Sequence, residues 1–131
     1  MNPELLTRAE QSDFRQTGRI DEVERLCDAY ARRWPEAAAS FEYGRSAEGR
    51  PLRALVVSRA GSLLPAELKR RKLPVLMIQA GIHPGESDGK DAGFIALREF
   101  LEGPSLPGVL EKIALLFVPA FNTDGHERVG R

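Results

Sequence analysis

The 131-residue sequence predicts an α/β fold, with a mostly buried sheet flanked by helices in a single domain spanning residues 1–131. Three observations carry that expectation. A segment after Gly18 spaces its apolar residues three and four apart, the period of an amphipathic helix. Two short runs, Pro74 to Ala80 and Ile113 to Ala120, are nearly continuous in apolar residues, the profile of strands covered on both faces. A stretch of helical period stands between them, so strand, helix and strand follow one another as in a crossover unit.

Each element has its own warrant. Ile20, Val23, Leu26, Cys27, Tyr30, Ala31 and Trp34 form the apolar face of the first helix, and Asp21 with Glu24 resembles a capping box at its start. Pro35 stops it, which places the helix at about residues 21 to 34. On this face Cys27 reads as a small buried apolar residue without chemistry. Phe41 and Tyr43, then a polar turn through Ser46, Glu48, Gly49 and Pro51, then Leu52 to Val57, read as two short strands joined by a loop. Pro65 to Lys72 reads as one or two helical turns with cations at the C-terminal end, where they complement the helix dipole. After the apolar strand at Pro74 to Ala80 comes a loop with His83, Pro84, Gly85 and Glu86. The next helix runs from about Ser87 to about Glu102, with Ala92, Ile95, Ala96, Glu99 and Phe100 at helical spacing and Gly103 with Pro104 as the stop. The strand Ile113 to Ala120 ends in the turn-forming segment Asn122-Thr123-Asp124-Gly125.

Composition narrows the function classes. Nineteen basic side chains balance nineteen acidic ones, which removes the long-range attraction that a nucleic-acid partner would need. The cations Lys69 to Lys72 have no interleaved aromatic residues and read as a solvated face. A single cysteine excludes an intrachain disulfide and a cysteine-rich zinc cluster. The apolar runs are too short to span a bilayer, so no membrane partner is expected. The first residues do not read as a signal peptide, which leaves a cytoplasmic location as the expectation.

One constellation carries chemistry. Ligands of open α/β sheets bind beyond the carboxyl ends of strands, and His83 and Glu86 stand there, three residues apart in a loop that Pro84 and Gly85 allow to bend. A histidine nitrogen and a carboxylate oxygen can converge on one cation, and zinc accepts such mixed ligands. Taken alone, the pair is a weak signal, because a loop histidine and a capping glutamate also arise by chance.

A resemblance makes it specific. Gly81-Ile82-His83-Pro84-Gly85-Glu86 after a buried strand resembles the zinc-binding signature of the carboxypeptidase A type metallocarboxypeptidases. Tyr43-Gly44-Arg45-Ser46 with Glu48-Gly49-Arg50-Pro51-Leu52 is similar to that family's early strand and its Ser-x-Glu-Gly-Arg turn. Val118-Pro119 followed by Asn122-Thr123-Asp124-Gly125 resembles its Asn-Pro-Asp-Gly turn, with Thr123 in place of the proline. The helix from Asp21 to Trp34 fits the helix that opens the family's catalytic domain. The likeness extends from about Thr17 to the end.

The resemblance implies a mixed sheet of which this sequence supplies about four strands, the first half of a zinc carboxypeptidase-like fold. It implies zinc as cofactor, His83 and Glu86 as two of its ligands, and hydrolysis of C-terminal peptide bonds. In such an enzyme zinc polarises the scissile carbonyl and acidifies a bound water, a glutamate is the general base and an arginine holds the substrate's terminal carboxylate. The third ligand, the base and the arginines lie further along in relatives, so the catalytic residues are not identified here. His126 is the only later histidine, and directly after the Asp-Gly turn it reads as an exposed residue rather than a ligand. Arg128 and Arg131 suit a carboxylate clamp by type but do not match the family's arginine motifs. The chain is therefore expected to be the N-terminal part of a catalytic domain, inactive alone. An apolar strand such as Pro74 to Ala80, left without a neighbour, would then invite a homo-oligomer or a sheet-completing partner. Gly-x-His-x-x-Glu is also similar to the start of the aspartoacylase and succinylglutamate desuccinylase group, whose substrates are acyl amino acids. A non-catalytic module without metal is the third reading.

Overall fold

The computed structural model describes residues 2–103 and 105–128. A 3₁₀ turn (Pro3–Leu5) precedes α1 (Arg8–Gln11) and α2 (Ile20–Arg33). The hairpin β1 (Ala38–Arg45) and β2 (Pro51–Val57) follows, then α3 (Pro65–Arg70), β3 (Val75–Gln79), α4 (Asp88–Glu102), β4 (Ala114–Val118) and α5 (Thr123–Arg128). The strands form one mixed sheet in the order β1-β2-β4-β3. β2 runs antiparallel to both β1 and β4, whereas β3 and β4 are parallel, from Val75 opposite Ala114 to Gln79 opposite Val118. β3, α4 and β4 are thus the crossover unit expected from the sequence.

One face of the sheet and the apolar face of α2 make the core. Leu55 and Val57 of β2 and Leu115 and Phe117 of β4 are buried there with Val23, Leu26, Cys27 and Tyr30. A run of aromatic rings ties the layers together. Trp34 stacks on Tyr30 at 5.4 Å, Tyr30 on Phe94 of α4 at 5.6 Å, and Phe94 meets Phe117 edge-on at 5.3 Å. Cys27 is fully buried, and burial pushes its thiol up to about 12, which leaves it no thiolate at neutral pH.

The start of α2 differs from the expectation. Asp21 and Glu24 form no capping box; the cap residue is Arg19, which makes no side-chain cap bond. The Glu127 carboxylate, reaching from α5, accepts from the Ile20 amide at 3.1 Å instead. A capping box does exist upstream, where Thr7 and Glu10 bond each other's backbone at the start of α1.

α4 turns a different face inward from the one its apolar spacing predicts. Its buried residues are Lys90, Asp91, Phe94, Leu97, Arg98 and Leu101, while Ala92 and Glu99 are exposed. Three of the inward residues are charged, and each finds partners. Lys90 bonds Glu22 of α2 at 2.5 Å and Asp91 at 2.7 Å; Asp91 accepts from the Thr17 hydroxyl at 2.7 Å. Arg98 donates to the Leu5 carbonyl at 2.9 Å and pairs with Glu10. Buried charges are tolerated only when paired in this way. The network straps residues 5–17 across α2 and α4, an arm that apolar periodicity does not reveal.

β3 is the other correction. All five residues are exposed, with Leu76 54% and Met77 53% accessible, so Pro74 to Ala80 is not a strand covered on both faces. Among the described residues it pairs only with β4 and leaves an open edge. The sheet face opposite the core is also partly open, forming with α3 a trough of about 650 Å³ lined by Phe41, Val56, Leu68, Val75 and Leu116. No helix among the described residues is long and apolar enough to cross a membrane.

Candidate metal centre

The loop after β3 places His83 and Glu86 together in space. Their side chains are 70% and 58% exposed, and His83 Nδ1 lies 3.2 Å from Glu86 Oε2. A tight turn makes this approach possible: the Glu86 amide donates to the His83 carbonyl at 3.0 Å, closing the loop over Pro84 and Gly85. Two ligands held about 2.0 to 2.2 Å from a tetrahedral zinc are separated by about 3.4 Å. The pair therefore fits two corners of such a site in both spacing and donor chemistry. Among the described residues no third histidine, cysteine or carboxylate joins them to complete a metal-binding group.

The loop is fastened to the segment after β4. The Phe121 amide donates to the Ala80 carbonyl and the Asn122 amide to the Gly81 carbonyl, both at 2.9 Å, which extends the parallel pairing past the strand ends. Gly81 has a positive φ of 64°, and a Cβ there would stand 3.1 Å from Ala120 Cα, so only glycine suits this crossing. Further along, Gly125 packs on Pro84, the buried residue between His83 and Glu86. A Cβ at position 125 would lie 2.7 Å from Pro84 Cγ.

The turn that supplies Gly125 is itself anchored. Gly125 N donates to Asn122 Oδ1 at 3.0 Å, and the Thr123 hydroxyl donates to the Ala120 carbonyl at 2.9 Å. Asp124 reaches the hairpin: its Oδ1 accepts from Ser46 Oγ and from Arg50 Nη1, each at 2.7 Å, and its Oδ2 accepts from the Glu48 amide at 3.2 Å. The Ser46 hydroxyl and, with it, the Arg50 guanidinium hold the Asp124 carboxyl below its ordinary value. Three motifs that lie far apart in the chain thus form one corner of the molecule.

The remaining candidates fall elsewhere. His126 is not an exposed turn residue; it is 2% accessible, its Nε2 is 3.1 Å from the Gly18 carbonyl, and its Nδ1 has no partner. The helical turn of α5 buries the ring against the Gly18 carbonyl, whereas a free turn would have left it in solvent. Arg128 pairs with Glu48 of the hairpin, and Arg131 lies outside the described residues. Ser46, Arg50 and Asp124 stand in motifs visible in the sequence, yet no one-dimensional signal shows that they meet.

The zinc carboxypeptidase family model matches residues 23–131. The chain belongs to that family. It is 28% identical over 110 residues to carboxypeptidase A1 of Bos taurus and 25% identical over 103 residues to carboxypeptidase A4 of Mus musculus. These matches cover 81% and 76% of this chain and 24% and 23% of the relatives. Among solved structures, carboxypeptidase A from Helicoverpa armigera superimposes with a TM-score of 0.73 at 22% identity, covering 87% of this chain and 28% of that one. A metallo-carboxypeptidase from Burkholderia cenocepacia gives a TM-score of 0.62 at 23% identity, covering 84% and 28%. The chain spans about a quarter of the length of the relatives it matches, and the structural likeness shows the fold.

Proposed function

We propose that this chain carries the first zinc half-site of a metallocarboxypeptidase-like hydrolase, with His83 and Glu86 as two ligands. The observation that supports this reading most directly is the 3.2 Å approach of His83 Nδ1 to Glu86 Oε2 on a loop fastened at its start and middle. Zinc bound there would polarise a scissile carbonyl and lower the pKa of its water. The chain's own part is to hold two donors at ligating separation, exposed toward incoming substrate and supported by Pro84 from beneath. A third ligand, a general base and an arginine for the substrate carboxylate would come from residues beyond those described. On this reading a peptide with a free C-terminus is the substrate, and the family match favours it over an acyl amino acid.

Titration with zinc tests the metal reading. The wild-type chain is expected to take up one zinc, and His83→Ala/Glu86→Ala to lose it; equal uptake by both would remove the half-site. A longer chain that includes a third ligand is expected to release C-terminal residues from peptides and to stop when a chelator is added. The 131-residue chain alone is expected to release none.

The open edge of β3 supports a further part of the proposal, that a second copy or a sheet-completing segment pairs there. A cytoplasmic location belongs to the same proposal, and cell fractionation checks it.

A further inference from the structure

His83 and Glu86 have no side-chain partner among the described residues other than each other. Their relative position therefore depends on the backbone of the loop that carries them. That loop is held at its start by the backbone bonds from Phe121 and Asn122, and at its middle by the contact of Pro84 with Gly125. Gly125 is held within its turn by the Asn122 side chain and follows Asp124 directly, so Asp124 is the tie between the seat beneath Pro84 and the β1–β2 hairpin.

Asp124 is fixed by a separate part of the molecule. Ser46, Glu48 and Arg50, all on the β1–β2 turn, direct three donors at its two oxygens. The turn is shaped for this: the Ser46 amide donates to the Arg50 carbonyl at 2.9 Å, the Arg50 amide donates to Ser46 Oγ at 3.0 Å, and Gly49 takes a positive φ of 81°. The Ser46 hydroxyl accepts from one side and donates to Asp124 on the other, which sets its direction. Three donors on the two oxygens of a carboxylate whose side chain is 17% accessible define its position more closely than a single exposed ion pair would.

We propose that Asp124, held by Ser46 and Arg50, is a positioning residue for metal binding. It touches no metal; through Gly125 and Pro84 it keeps His83 and Glu86 at ligating separation. The proposal rests on the zinc reading above, and the two can fail separately.

Cobalt(II) serves as the probe, because its visible spectrum reports ligand geometry as well as occupancy. Wild type, Asp124→Ala, Arg50→Ala, Arg50→Lys and His83→Ala/Glu86→Ala are titrated, with Leu101→Ala as a variant destabilised at a core position distant from the loop. Amide hydrogen exchange at Glu86 and Asn122 is followed in the same set. The expected result is a cobalt affinity about 10-fold weaker in Asp124→Ala and Arg50→Ala, with an altered spectrum and partial rescue in Arg50→Lys. Exchange at Glu86 and Asn122 is expected to accelerate in those two variants, while Leu101→Ala keeps wild-type affinity and spectrum. Wild-type affinity, spectrum and exchange in Asp124→Ala, together with loss of cobalt in His83→Ala/Glu86→Ala, would overturn the positioning role and leave the zinc reading standing. Equal cobalt uptake by wild type and the double variant would overturn both. A loss of affinity in Leu101→Ala as large as in Asp124→Ala would reduce the effect to stability and overturn the proposal as well.

Discussion

Gly125 shows how much a single residue can control here. It has no room for a methyl group, because Pro84 Cγ stands 2.7 Å and Asn122 Oδ1 2.9 Å from where a Cβ would sit. Gly125→Ala is expected to push the loop outward and lower zinc affinity by about 10-fold, read by competition with a chromophoric chelator. The carboxylates that organise the fold also set its response to acid. Burial raises Glu10, but the bonds from Arg98 and Thr7 outweigh it and leave that carboxyl, like Asp124, below its ordinary value. A carboxylate depressed in the folded state contributes stability that is complete above its unfolded pKa, near 4, and is lost as pH falls through the lower folded value. Thermal melts are therefore expected to show a flat midpoint from neutrality to about pH 5 and a decline below about pH 4. Asp124→Asn should flatten part of that decline. At this scale the sequence shows residue types but not partners: Ser46 and Asp124 are 78 positions apart, and only folding reveals that one donates to the other.

Among the elements, α4 carries the instructive disagreement between pattern and structure. Apolar spacing marks Ala92, Ile95, Ala96 and Phe100, yet the helix buries Lys90, Asp91 and Arg98 beside Phe94, Leu97 and Leu101. Hydrophobic periodicity treats a charge as outward-facing, and it fails where charges find each other in the interior. Glu22 gives the same lesson on α2. Both helices were legible in extent, because apolar period and stop signals depend on local chemistry; the inward face of α4 was not, because it depends on an arm 74 to 93 positions away. Lys90 is fully buried, so Lys90→Ala leaves Glu22 and Asp91 uncompensated and is expected to cost about 3–5 kcal/mol in urea unfolding. Gly93 sits against the ring of Phe117, where a Cβ would collide. Gly93→Ala is expected to destabilise by about 1–3 kcal/mol despite its better helix propensity. A stabilised Gly93→Ala variant would show that the α4–β4 contact is looser than described.

For the molecule as a whole, one side is finished and the other is open. The core between α2, α4 and the sheet is closed by aromatic stacking, whereas β3 shows Val75, Leu76, Met77 and Ile78 to solvent. Leu76→Lys/Ile78→Lys is expected to reduce association of the chain, measured as a fall in mass by light scattering at high concentration. If the wild type is a strict monomer under those conditions, β3 is not an association edge. The four-strand content and the order of elements were readable because buried strands and their turn residues are local signals. The exposure of β3 was not, since an apolar run looks the same whether its neighbour is present or absent. His83 and Glu86 were readable as a candidate pair, and their approach became visible only when the segments after β3 and β4 were seen side by side. The most direct test is X-ray absorption at the zinc edge on the zinc-loaded chain. One imidazole and a carboxylate oxygen are expected in the first coordination sphere, with the imidazole signal lost in His83→Ala; a sphere of water oxygens alone, unchanged by that substitution, would contradict the half-site.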